Sequence, residues 1–71
     1  MIQKGVKQIS KLAQLRKAQG LSQERLAELS GVHRVSIARI ESGAITPNIR
    51  TLEKLASALQ VAVTELIEKA G

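Results

Sequence analysis

The chain has 71 residues, with eleven Lys or Arg against six Glu, no Asp, a formal charge of +5 and a pI near 10.3. A chain this short forms one small domain with a thin core, and with no cysteine it has neither a disulfide framework nor a thiolate metal site, which fits a reducing, cytoplasmic setting. One His, no Cys, no Tyr, no paired carboxylates, no metal-ligand cluster and no phosphate-cradling glycine loop argue against an enzyme; no cofactor and no metal are expected.

The punctuation is Gly5, Gly20, Gly31, Gly43 and Pro47, and between these marks apolar residues recur at helical, not strand, spacing. Residues 1–5 are expected to fray. A first helix is predicted from Val6 to Gln19, with Val6, Ile9, Leu12, Ala13 and Leu15 inward and Gly20 as the stop. Ser22 reads as the N-cap of a second helix, Gln23 to Ser30, which has Glu24 in its first turn and buries Leu26, Ala27 and Leu29. Gly31 ends it in a left-handed conformation.

A third helix follows from Arg34 to Glu41 or Ser42, with His33 at the capping position, Ile37 and Ile40 inward, and Arg34, Val35, Ala38 and Arg39 outward. Asn48 caps a fourth helix whose stripe is Ile49, Leu52, Leu55, Ala56 and Leu59. Thr64 is expected to cap a last helix, Glu65 to Ala70. These readings make an all-α bundle of five helices in one domain, residues 1–71, with a helix-turn-helix over about 22–42. The apolar runs are too short for a transmembrane span or a signal sequence.

The middle of the chain has the parts of a braced helix pair. A helix that projects into a DNA major groove needs a second helix set across it at a steep angle and joined by a short turn. Ala27 is small where two backbones would meet, Gly31 lies four residues on, and Ile37 plugs back into the core six residues after the glycine. Charge points the same way. Residues 1–39 hold eight of the basic residues and two of the glutamates, and residues 40–71 hold three and four, so one end of the molecule is basic. Without Phe, Tyr or Trp the chain lacks the stacking platforms of single-strand binders and sheet-based RNA modules, which leaves duplex DNA as the preferred polyanion; a solvated basic surface on an unrelated small domain is the alternative reading of the charge.

The segment "LRKAQGLSQERLAELSGVHRVSIARIESG", followed by "TPNIRTLEKLASALQVAVTELI", resembles the Cro/repressor-type helix-turn-helix domains of phage and bacterial regulators, the XRE family. LSQ, LA, SGV, SIARIESG, the single proline and LASAL fall at the family's positions in the family's order. The resemblance, over about Leu15 to Ile67, implies a five-helix, lambda-repressor-like bundle whose third helix lies in the major groove, acting as a homodimer on a palindromic operator. It implies that Gln23 contacts a phosphate and that His33, Arg34, Val35, Ser36 and Arg39 face the bases or line the groove. It also implies that Ser42, Gly43, Asn48 and Arg50 hold the DNA backbone. Lys17 is a further backbone candidate.

Chemistry is consistent with these positions. Arginine forms a bidentate fork with guanine O6 and N7, worth about 1–3 kcal/mol of discrimination, so Arg34 and Arg39 are candidate readers of G·C pairs. Val35 can meet the C5-methyl of thymine. His33 has three readings open: donor to a phosphate, donor to a base, or helix cap only. The third helix departs from many relatives in having no glutamine, which leaves direct adenine readout without an agent.

Two other positions stand out. Glu41 falls on the inward stripe four residues after Ile37, and Arg16 falls on the inward face of the first helix. The resemblance implies that they form an internal ion pair; two snorkelling surface residues are the alternative. Gln60 stands where the family commonly has a glycine with positive φ. Ile45, Val63 and Ile67 are apolar residues left over from the stripes, and they are candidates for a dimer contact. The rival function is a protein-interaction adaptor or an antitoxin-type module on the same fold, with a toxin or co-regulator as partner; its mark would be an apolar or acidic outer face on the third helix.

Overall fold

A computed structural model describes residues 7–67, which form α1 (Lys7–Ala18), α2 (Gln23–Ser30), α3 (Arg34–Ser42), α4 (Ile49–Leu59) and α5 (Val63–Leu66). The expectations for residues 1–6 and 68–70, and for the side chain of Ile9, lie outside the described residues.

Local chemistry sets the helix boundaries. Ser22 Oγ accepts from the Arg25 amide at 2.9 Å and Asn48 Oδ1 from the Thr51 amide at 2.9 Å, so α2 and α4 begin at capped first turns. Gly31 closes α2 at φ 80°, its N–H donating to Ala27 O at 2.9 Å. α4 closes the same way without a glycine. Gln60 takes φ 60° and ψ 43°, and is the one non-glycine residue at positive φ among those described.

Leu26, Ile37, Leu55 and Leu59 are fully buried at the centre, with Leu12, Val32, Ile40, Ala56 and Leu66 around them. α1 packs on α3 and α5, α2 packs on α3 and α4, and α4 packs on α5. The pair α2–α3 is therefore held from both sides by the rest of the bundle. Nothing in it relies on aromatic packing; the whole core is aliphatic.

Three expectations need correction. Leu29 is not core: it is 47% exposed, because an eight-residue helix turned to seat Leu26 carries Leu29 to its edge, above Arg50, Lys54 and Ala58 of α4. Ile49 is 61% exposed although it continues the α4 stripe. Burial along that stripe fades from Leu59 and Leu55 through half-buried Leu52 to Ile49, because the first turn of α4 extends past the core. The last helix begins earlier than expected: Ala62, not Thr64, stands at the cap position, Glu65 Oε2 lies 3.5 Å from the Ala62 amide, and Ile67 is already extended. Val32, which belongs to no helical stripe, is a buried core residue.

Candidate nucleic-acid interface

The turn between α2 and α3 is Gly31–Val32–His33. Gly31 reverses the chain, the Val32 amide donates to Ser30 Oγ at 3.1 Å, and the Val32 side chain enters the core. With Ile37 and Ile40 also inward, the core sets which side of α3 faces in, and its other face is left outside. Arg34, Val35 and Arg39 are exposed there, and Val35 is 52% accessible despite being β-branched and apolar. Ser36 is half-buried at the edge of this face. His33 is exposed at the N-cap position, and its imidazole makes no capping hydrogen bond. The first-turn amides of α3 thus differ from those of α2 and α4 in having no side-chain acceptor.

At the other end of α3 lies the polar centre of the molecule. Arg16 Nε donates to Glu41 Oε2 at 2.7 Å and Arg16 Nη2 donates to Glu41 Oε1 at 3.0 Å, a bidentate fork whose side chains are only 9% and 8% exposed. Arg16 Nη1 donates to the Leu21 carbonyl at 2.7 Å, so the guanidinium also closes the α1–α2 loop. Gln23 Nε2 donates to Glu41 Oε1 at 3.0 Å. Burial pushes the Glu41 carboxyl up, but the hydrogen bonds from Arg16 and Gln23 and the charges of Arg16 and Lys17 outweigh it and hold the group below the usual carboxylate range. The Arg16 guanidinium is raised further by its hydrogen bond to Glu41, against the opposing effect of burial.

The remaining candidates are spread over the edges of this assembly. Lys17 is exposed in the last turn of α1. Ser42 is exposed, and its hydroxyl donates to Arg39 O at 3.1 Å. Gly43 follows at φ 84°. Asn48 uses its carbonyl oxygen on the Thr51 amide, leaving its NH2 group for another acceptor. Arg50 is exposed beside Leu29 and Lys54 on the α2–α4 side. The bond from Gln23 to Glu41 has no signal in the sequence, since eighteen positions separate the partners. The same holds for Gln19 Nε2, which donates to Leu59 O at 2.8 Å and ties the end of α1 to the end of α4.

Two short helices braced across a glycine turn, with a basic, solvent-facing side on the second, define a helix-turn-helix domain of the kind that binds DNA. The chain belongs to the HTH_3 helix-turn-helix family, whose profile matches residues 12–66. It is 36% identical over 69 residues to the HTH-type transcriptional regulator PuuR of Escherichia coli strain K12, an alignment covering 97% of this chain and 37% of PuuR. It is 41% identical over 56 residues to the control protein C.SmaI of Serratia marcescens, covering 79% of this chain and 67% of that protein. Its fold is similar to the crystal structure of the restriction-modification controller protein C.AhdI from Aeromonas hydrophila, with a TM-score of 0.83 and 42% identity over 87% of this chain and 94% of that one. These relatives are regulators and control proteins, not enzymes. Among the described residues no helix is long and apolar enough to cross a membrane.

Proposed function

We propose that this chain is a cytoplasmic, sequence-specific DNA-binding transcriptional regulator that places α3 in the major groove and acts as a homodimer on a palindromic operator. The observation that carries the reading is the outer face of α3, where Arg34, Val35 and Arg39 are exposed on a helix whose opposite side is locked by Ile37 and Ile40. Arg34 and Arg39 read guanine edges by bidentate donation, and Val35 offers a methyl surface to thymine. His33 and Ser36 stand at the margin of the face as further donors. Gln23, Ser42, Gly43, Asn48, Arg50 and Lys17 contact the sugar–phosphate backbone and fix the register without reading sequence.

The dimer contact is assigned to the apolar surface left near the α3–α4 loop and the end of α5. Ile45 and Ile67 are exposed and Val63 is half-buried. Ile67 also edges an apolar cleft of about 90 Å³ lined by Leu12, Ile40, Pro47, Leu52 and Leu66. A partner copy covering these side chains would remove that surface from water.

The test is selection of bound duplexes from a random pool. A palindromic consensus with half-sites about one helical turn apart is the expected result. A consensus without two-fold symmetry would overturn the dimer, and no enrichment even at low salt would overturn DNA binding in favour of a protein-interaction adaptor.

A further inference from the structure

The ion pair between α1 and α3 has a third member, and its position gives the pair a role beyond holding the fold. Glu41 Oε1 accepts from Arg16 Nη2 and from Gln23 Nε2, both at 3.0 Å, so one carboxylate at the end of α3 holds the first side chain of α2. We propose that Glu41 is a positioning residue for DNA binding, acting through Gln23, which it holds with its amide donor set for a backbone phosphate. The proposal rests on the reading above, in which Gln23 is a phosphate contact.

The chemistry of the side-chain amide supports this assignment. A glutamine ends in one acceptor and one double donor that are nearly the same shape, and only its partners decide which is which. A carboxylate is acceptor-only, so the terminal atom of Gln23 beside it must be the NH2 group. One N–H is spent on Glu41, and the second remains for a phosphate oxygen. A freely rotating Gln23 would present its carbonyl oxygen, which a phosphate repels, in part of its population and would lose rotamer freedom on binding. Three of the five N–H donors of Arg16 are spent on Glu41 and the Leu21 carbonyl and its side chain is only 9% exposed, whereas Gln23 is half-buried and is the more accessible donor. The phosphate contact and the helix that reads the groove are in this way referenced to the same carboxylate and move as one body.

The experiment is a cycle of variants measured for affinity to the duplex recovered by selection, each checked for native helicity by circular dichroism. Gln23→Ala should lower affinity about tenfold, the scale of one hydrogen bond to a charged group, without changing the salt dependence, since a neutral side chain releases no counterion. Removing Glu41 alone strands a buried arginine, so the acceptor is removed with its partner as Arg16→Met/Glu41→Met, an exchange that apolar side chains of similar length often tolerate. This pair variant should lose about as much affinity as Gln23→Ala, and adding Gln23→Ala to it should cost less than about twofold more. If the pair variant binds like the unmodified protein while Gln23→Ala is still weakened, or if the two losses multiply, Glu41 does not act through Gln23 and the proposal is overturned with DNA binding intact. Unchanged affinity in Gln23→Ala would overturn the phosphate contact and the proposal together. Absence of any selected duplex would instead overturn the DNA reading itself.

Discussion

Neutralising Glu41 is the most informative single change to the fold. In Glu41→Gln the shape is kept, but the fork from Arg16 loses one of its two acceptors and the charge that balances it. The new NH2 group must also face an N–H of the guanidinium in either orientation, because both carboxylate oxygens accept from Arg16. Breaking a buried pair in this manner costs about 3–5 kcal/mol. The pair keeps a little solvent contact, with side chains 9% and 8% exposed, so the lower end applies, about 3 kcal/mol. For a domain of this size that corresponds to a melting temperature lower by about 12–24 °C.

The pH dependence carries a second signature of the same interaction. Because the folded-state carboxyl lies below its ordinary value, its stabilisation is complete above the usual glutamate range, near pH 4.3, and fades as pH falls from there through the depressed folded value. Thermal unfolding followed by circular dichroism at pH 7 and at a series of lower pH values measures both effects. The gap between the unmodified protein and Glu41→Gln should narrow as the pH drops through that window. A Glu41→Gln protein melting within a degree or two of the unmodified chain at pH 7 would refute the reasoning.

Other predictions address single features. Gln60→Gly removes a left-handed strain of about 1–2 kcal/mol, partly offset by the greater freedom of glycine when unfolded, so a net gain of about 0.5–1 kcal/mol and a melting temperature a few degrees higher are expected. Leu26→Ala should cost about 2–5 kcal/mol while Leu29→Ala costs less than about 1 kcal/mol, because one side chain is fully buried and the other is half in water; equal losses by thermal unfolding would contradict the packing described. Arg39→Ala should relax specificity at one base-pair position per half-site, whereas Lys17→Ala should weaken all duplexes alike and reduce the salt slope by about 1; binding to a panel of single-position operator variants separates the two. Ile67→Ser should weaken self-association measured by sedimentation while leaving helicity unchanged.

Much of the fold was legible because the helix ends carry their own signals. Ser22 and Asn48 accept from amides three residues on, and Gly31 takes the positive φ that its place between two stripes required. These are interactions within a turn, decided by neighbours in the chain. The errors fell where burial depends on what lies opposite. Leu29 and Ile49 have the right spacing for the core, but helical periodicity gives direction and not depth, and both point past the edge of their neighbours. Val32 showed the converse, an apolar residue in a turn with no periodicity around it that the fold buries. At the last helix the short-range signal misled, since Thr64 has the chemistry of a cap but Glu65 reaches back to Ala62 instead.

The sequence by itself determined the number and order of the described helices, the outer face of α3 and its basic character, because helical periodicity, capping chemistry and charge are properties of neighbouring residues. The resemblance had paired Arg16 with Glu41, as the structure has it, but only the tertiary structure decided that Gln23 shares that carboxylate and that Gln19 has a partner on α4. Arg16, Gln23 and Glu41 lie on three different helices, and Gln19 reaches a carbonyl forty positions away. Such hydrogen bonds require two groups to coincide within a few tenths of an ångström. That coincidence is set by how the aliphatic core seats α1, α2 and α3 against one another, and no local pattern in the chain encodes it.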